Sequence, residues 1–227
     1  MSEIAEKYVW KEIPGSSHDL LRRRIRALPA GLRLLDLGAA GGHLGRAVRD
    51  RCAFLAGVEP DAALPSSCSD GYDDWRACDA MSAGSWDAPF DAVVCADVLE
   101  HLPRPEDLLE RIRAWLVPGG TLLVSLPNVA NVTVRAALLA GRFPYAERGI
   151  LDRTHLRFYT RRSARALIES GGFRLRGIAA TAMPYELAVA ALGKPPLAGP
   201  VRGFASATAR LWPTLFGYQF VLEAERR

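Results

Sequence analysis

The stretch LLDLGAAGGHLG, residues 34–45, decides the fold. It begins as an apolar run closing on Asp36 and Leu37, continues through the small residues Gly38 to Gly42, and opens a segment of helical spacing, GHLGRAVRD. Such a pattern is a buried strand, a tight turn and a helix. Side chains this small let a ligand lie against the backbone and leave a helix N-terminus open to a polar group. The glycine spacing narrows the choice of ligand. A dinucleotide fingerprint beginning at Gly38 needs glycine at positions 40 and 43, where Ala40 and His43 stand, so hydride transfer is disfavoured.

On either side the alternation continues. Ser17 is placed to cap a helix reaching about Leu28, ahead of the first strand LRLLDLG. AFLAGVE reads as a second strand, YDDWRACDA as a third weakened by Asp73 and Asp74, and FDAVVCADV as a fourth of contiguous buried residues. In PEDLLERIRAWLVPGG, apolar Leu108, Leu109, Ile112, Trp115 and Leu116 recur at helical spacing, Pro105 suits a first turn, and Pro118-Gly119-Gly120 stops the helix. TLLVSLPN is the fifth strand. After Asn128 the alternation breaks: VANVTVRAALLAGRF reads as helical, GILDRTHLRFYT as a loop, and RRSARALIESGGF as a helix ended by Gly171-Gly172. FRLRGIAAT and GYQFVLEAER are strands six and seven, and the span 184–213 between them is too long for a hairpin loop. Strands alternating with helices predict an α/β protein.

Taken in order, these stretches resemble the class I S-adenosylmethionine-dependent methyltransferases. LLDLGAAGG matches their first motif, DxGxGxG, with Ala40 at the middle glycine. Glu59 of GVEPD ends the second strand, where a carboxylate can accept both hydroxyl protons of an adenosine ribose. Cys78-Asp79-Ala80 and the run FDAVVCADVLEHLPRPEDLLERIRAWLVPGGTLLVSLPN match the later motifs. Singly, Glu59 and Asp79 read as solvated acids. At the ends of successive strands they are hard to explain by packing.

The resemblance implies a Rossmann-like sheet of seven strands, mostly parallel, with helices on both faces, the last strand antiparallel and substrate-side insertions. It also implies the cofactor contacts. Asp36 and the backbone of Gly38, Ala39, Ala40 and Gly42 would meet the methionine end of S-adenosylmethionine, Glu59 and Pro60 the ribose, Asp79 and Ala80 the adenine amine, and Ala96, Asp97 and Leu99 the adenosine face. The sulfonium makes the methyl group electrophilic, which leaves the protein alignment, desolvation and proton removal.

Asp97, Glu100 and His101 of ADVLEHL fall at the C-terminal end of the fourth strand, the edge where open parallel sheets place ligands. His101 is the best-placed general base, with an ordinary pKa near ~6.5 and carboxylates beside it to orient the ring. Equally, Glu100 and His101 read as braces of the following loop. With His155 of DRTHLRFYT, the same residues form a candidate divalent-metal set, Asp97, Glu100, His101 and His155, for magnesium or a similar ion. The pattern is similar to the ExxEH of ubiquinone-pathway O-methyltransferases and small-RNA terminal 2′-O-methyltransferases, with Asp97 one methylene shorter. Tyr145, Arg153, Arg157 and Tyr159 are candidates for holding an anionic or hydroxylated acceptor.

The flanking stretches SLPNVANVTVRAALLAGRF, GILDRTHLRFYTRRSARALIESGGF and PTLFGYQFVLEA resemble methyltransferases associated with glycosyltransferases. That implies O-methylation of a small hydroxylated acceptor, a sugar, glycoconjugate or specialised metabolite. The layout is also similar to the MetW proteins of methionine biosynthesis, which would make the chain a binding or regulatory partner of a homoserine acyltransferase. The acids and histidine of ADVLEHL favour the enzyme.

Composition bounds the rest. With 227 residues, 49% of them hydrophobic and 24% charged, the chain is globular and buries a core without metal or disulfide. One domain over 1–227 is expected, divided into an N-terminal helical cap (1–30), a cofactor-binding core (31–128), a substrate-side insertion (129–172) and C-terminal strands with a helical insertion (173–227). Cys52, Cys68, Cys78 and Cys95 contain no CxxC pair, as expected of buried thiols in a reducing compartment. A net charge of +4, with no long basic run and no aromatic stacking signature, argues against nucleic acid. MSEIAEKYVWKEIPG has no apolar stretch after a basic start, so the expectation is a cytoplasmic protein without membrane insertion, acting on a small molecule and compatible with a homodimer.

Overall fold

The structure is a computed structural model that describes residues 13–64, 66–184 and 198–227. The strands are β1 (Leu32–Leu37), β2 (Cys52–Val58), β3 (Asp74–Arg76), β4 (Phe90–Ala96), β5 (Leu116–Pro127), β6 (Phe173–Ala180) and β7 (Gln219–Arg226). They form one sheet in the order β3-β2-β1-β4-β5-β7-β6. The first five pair in parallel, and β7 runs antiparallel between β5 and β6. This is the Rossmann-like architecture that the sequence pattern and the resemblance imply.

The central strands are apolar on both sides because helices cover both faces. Alternation along β1 and β4 sends Leu34, Ala92 and Val94 to one face, where they pack with Leu21 and Ile25 of α1 (Ser17–Ala27) and Leu44 and Val48 of α2 (His43–Val48). Leu35, Leu37, Val93 and Cys95 point to the other face. There they meet Leu108, Leu109 and Ile112 of α3 (Pro105–Trp115) and Leu167 and Ile168 of α5 (Arg161–Ser170). The remaining helices are α4 (Val132–Leu139), α6 (Ala198–Leu211) and α7 (Pro213–Phe216). No helix among the described residues is long and apolar enough to cross a membrane.

Local structure departs from the sequence reading in three places. The cap of α1 is Ser16, whose side chain accepts the Asp19 amide at 3.3 Å, and Ser17 is the first helical residue. Helix α3 stops at Trp115, before Pro118-Gly119-Gly120, because Leu116 is fully buried and already paired with Phe90. The Pro-Gly-Gly is an excursion within β5, where the register jumps to Ala92 opposite Thr121 and Gly119 takes φ +78°. Finally, β3 covers only Asp74–Arg76: the Asp73 carboxylate takes the Leu55 amide at 2.7 Å instead of extending the strand. Of the span 184–213, residues 185–197 lie outside the described residues, and α6 and α7 occupy the rest. Cys68 and Cys95 are buried, whereas Cys52 and Cys78 are half-buried, and all are free thiols.

Where β5 ends, two buried asparagines join the sheet to the substrate-side segments. Asn128 donates to the carbonyls of Thr214 at 3.0 Å and Gly217 at 2.8 Å, and Asn131 donates to Gly217 at 2.9 Å while capping α4 through the Thr133 amide. Replacing Asn128 leaves buried carbonyl groups short of donors. Asn128→Ala is expected to lower stability by about 2–3 kcal/mol, measured by denaturant unfolding.

Candidate active site

Register brings the strand ends together. Asp36 lies opposite Gly57 and Val94, Val58 opposite Arg76, and Ala96 opposite Ser125. The residues following β1, β2, β3 and β4 therefore line one edge of the sheet, neighbouring strands being ~4.8 Å apart. Sequence reasoning placed Asp36, Glu59, Asp79 and Asp97 at these exits, and the structure assembles them there.

The turn after β1 has little room for side chains. Gly38 (φ +70°) would place a Cβ 2.5 Å from Val98 Cγ2, and Gly42 (φ +67°) would place one 2.0 Å from the Cys68 carbonyl oxygen. Ala40 also sits in left-handed space, at φ 46°, which only glycine adopts without cost. The amides of Gly38 and Ala39 donate to the Val58 carbonyl at 2.9 and 3.1 Å, tying the turn to β2. Glu59 completes the tie: Oε2 accepts the Ala40 amide at 2.8 Å and Oε1 the Asp61 amide at 3.0 Å. Each carboxylate oxygen retains a lone pair beyond these bonds. Pro60, beside it, is exposed.

Asp36 is buried, and its Oδ2 accepts the Tyr72 hydroxyl at 2.8 Å. Burial pushes its acid up from 3.8 to about 7, the Tyr72 hydrogen bond pulls down, and the nearby Glu59 charge adds to the rise. Burial raises the Tyr72 phenol far above its ordinary value, with the Asp36 charge adding to the rise, so it stays protonated as the donor. Nothing in the sequence pattern marked Tyr72, since its partner lies 36 residues away. Asp79 is exposed and caps a single turn at Ala80–Ser82, accepting the Met81 amide at 2.7 Å and the Ser82 amide at 3.1 Å. Ala80 packs into the core.

Ala96 at the end of β4 and Asp97 and Val98 after it are half-buried, but Leu99 is fully buried in the core and presents no face to an adenosine. Asp97 has φ 54°, and its carboxylate is held by the Ser125 hydroxyl at 2.7 Å and the Gln219 amide at 2.9 Å. It stands apart from the other expected metal ligands. Ligand atoms of Glu100, His101 and His155 all lie within 4.8 Å of one another, and Asp97 is not in that group. A carboxylate claimed by Ser125 and Gln219 turns toward β5 and β7 rather than toward the imidazoles.

The Glu100 side chain is fully buried, and outside its own backbone amide, which works against the rise in its pKa, neither oxygen has a hydrogen-bond partner. Desolvation raises its acid well above the ordinary carboxyl value, with Asp97 and Asp152 adding to the rise. Its backbone carbonyl accepts the amides of Leu156 at 2.8 Å and Arg157 at 3.0 Å, docking the substrate-side loop on the site. His101 Nδ1 lies 3.2 Å from both the carbonyl and the hydroxyl oxygens of Thr154, and that hydroxyl donates to Asp152 at 2.7 Å. Those acceptors assign the proton to Nδ1 and leave the Nε2 lone pair of His101 available. His155 Nδ1 lies 3.2 Å from the Ile150 carbonyl, and its ring stands edge-on to His101 with centroids 4.9 Å apart. Burial lowers its pKa, and the neighbouring His101 lowers it further. Of the other acceptor candidates, Arg153 pairs with Glu147, Arg157 donates to the Pro103 carbonyl, Tyr159 is in the core and Tyr145 is exposed.

Comparison with known proteins gives a consistent picture. A family model described as a methyltransferase domain matches residues 9–177. A ubiquinone biosynthesis O-methyltransferase of Xylella fastidiosa strain M23 is 33% identical over 130 residues, which is 54% of this chain and 50% of that protein. The chain thus matches about half the length of the curated relatives. A solved S-adenosylmethionine-dependent methyltransferase of Archaeoglobus fulgidus superposes with TM-score 0.62 at 19% identity, covering 92% of this chain and 94% of that one. The [4+2]-cyclase SpnF superposes with TM-score 0.60 at 23% identity, covering 92% and 80%. Such likeness establishes the fold and not the reaction.

The buried Asp36 gives a pH-dependent signature. Its raised folded pKa means that the unfolded chain loses the proton first, so stability falls as pH rises from about 4 to about 7. Asp36→Asn removes this dependence and keeps an acceptor for Tyr72. The ligand-free variant is expected to exceed the parent in stability at pH 8, by up to roughly 4 kcal/mol, and to converge with it near pH 4, measured by urea unfolding.

Proposed function

The chain belongs to the class I S-adenosylmethionine-dependent methyltransferases, and from that premise we propose that it methylates the oxygen of a small hydroxylated acceptor, a sugar, glycoconjugate or specialised metabolite. The observation that carries this reading is His101. Its Nδ1 is held by Thr154, its Nε2 is available, and it stands at the sheet edge just beyond the cofactor turn. The relatives named as O-methyltransferases support oxygen as the acceptor atom.

Bound S-adenosylmethionine supplies an electrophilic methyl group. The residues present fit it: a turn cleared of side chains at Gly38 and Gly42, a buried acid at Asp36, and a carboxylate at Glu59 with lone pairs to spare. Asp36 and the backbone from Gly38 through Ala39 and Ala40 to Gly42 take the methionine end, Glu59 and Pro60 the ribose, Asp79 and Ala80 the adenine, and Ala96 and Asp97 the adenosine face. His101 Nε2 receives the acceptor hydroxyl proton, and Asp152, through Thr154, steadies the imidazole as it becomes charged. The buried wall around Glu100 and His155 keeps water from the nucleophile.

A buried carboxyl group beside two imidazoles also fits a divalent cation, one that accepts imidazole nitrogen better than magnesium does. Glu100, His101 and His155 would hold it, and it would supply Lewis-acid polarisation of the acceptor hydroxyl. Nε2 of His101 cannot bind a metal and take a proton at once, so the two roles are alternatives. A regulatory partner of an acyltransferase has no use for this cluster, which favours the enzyme.

The chain is expected to bind S-adenosylmethionine and S-adenosylhomocysteine in calorimetry and to add one methyl mass to a hydroxylated acceptor. His101→Gln is expected to lower kcat by about 10²–10⁴ with cofactor affinity retained. Full activity in that variant would sink the base. Loss of activity on chelation, restored by one divalent ion, would favour the metal; full activity after exhaustive chelation would exclude it.

A further inference from the structure

Packing singles out Tyr72. The chain is glycine at two points that face its ring. A Cβ on Gly45 of α2 would stand 2.1 Å from the phenol oxygen, and one on Gly57 of β2 would stand 2.6 Å from Trp75 Cε3 and 2.8 Å from Tyr72 Cδ1. Neither glycine has positive φ, so backbone conformation gives no reason for glycine there; room for Tyr72 does at Gly45, and room for Trp75 and Tyr72 together does at Gly57. Trp75 closes the cage edge-on, with ring centroids 5.0 Å apart. Helix α2 thus gives up a side chain where the phenol oxygen lies, and that hydroxyl reaches Asp36 Oδ2 at 2.8 Å. Apolar packing alone would be served by phenylalanine; burying a hydroxyl costs free energy that only a hydrogen bond repays.

Resting on the assignment of Asp36 to the amino-acid end of the cofactor, we propose that Tyr72 is a positioning residue of the cofactor pocket, clamping Oδ2 of Asp36 so that Oδ1 is offered to the cofactor's α-ammonium group. A carboxylate at the end of a strand otherwise rotates about its single bonds, and an ammonium group pairs best with an oxygen fixed in direction. Around Asp36 the acting groups are Tyr72, before β3, and Glu59, after β2; on the phenol, the Arg46 charge and the Gly45 backbone of α2 oppose the rise. Of the groups acting on Asp36, Tyr72 alone favours its ionised form, the form that pairs with an ammonium.

Tyr72→Phe removes one oxygen and keeps the ring. Calorimetry on the full chain, with folding checked by circular dichroism, should compare S-adenosylhomocysteine with 5′-methylthioadenosine, which lacks the amino-acid end. The expected result is about tenfold weaker binding of S-adenosylhomocysteine and unchanged binding of 5′-methylthioadenosine. The pH at which S-adenosylhomocysteine affinity is half lost should move upward. In an Asp36→Asn background, Tyr72→Phe should cost nothing further. Unchanged S-adenosylhomocysteine affinity, equal weakening of both ligands, or additive effects in the double variant would each overturn the proposal. If instead Asp36→Asn alone binds S-adenosylhomocysteine as tightly as the parent, the assignment of Asp36 fails and the proposal falls with it.

Discussion

The turn between β1 and α2 has to pass between Val98 on one side and the Cys68 carbonyl on the other while its amides bond to the end of β2. Those demands meet in a few residues. Gly38 and Gly42 combine positive φ with neighbours closer than any side chain tolerates. Ala40 accepts a left-handed conformation because its amide is held by Glu59. If the turn moved, Glu59 would lose its bond to Ala40, and Asp36 would lose its alignment with Tyr72, which is wedged against the first turn of α2 at Gly45. The cofactor edge is therefore one mechanical unit, built from the ends of three strands and a tyrosine between them.

The second half of the site is held differently. Glu100, His101 and His155 meet because the substrate-side loop is stitched to the short turn after β4: the amides of Leu156 and Arg157 bond to Glu100, and Thr154 bonds to His101. The result is a buried acid without partners beyond its own backbone amide, next to two imidazoles whose Nδ1 positions are already taken by carbonyl groups. Burying such a side chain is costly, and its acid is pushed well above the ordinary carboxyl value.

Asp97 shows how the two halves are kept distinct. It lies three residues before Glu100 and at positive φ, yet Ser125 and Gln219 draw its carboxylate toward β5 and β7. Sequence spacing grouped it with Glu100, His101 and His155. Leu99 illustrates the same point: between two site residues, it faces inward and fills the core.

The sheet and its helices were legible because hydrophobic runs of buried parallel strands and the periodicity of α3 and α5 are local properties of the chain. The order of acids at the ends of β1, β2 and β3 was legible too, since parallel strands place their C-terminal residues on one edge whatever fills the core. Local competition blurred the rest. Leu116 left the helix for a place beside Phe90, and Asp73 spent its carboxylate on Leu55, so Pro118-Gly119-Gly120 and YDDWRACDA misled. What the chain alone determined, then, is the architecture and the order of acids along one edge of the sheet. Tertiary structure decided that Thr154 meets His101 across 53 residues of chain and brings His155 against the same ring, that Asp97 does not join them, and that Tyr72 meets Asp36. Contacts between distant segments depend on side-chain direction and loop docking, which no spacing within a single segment encodes.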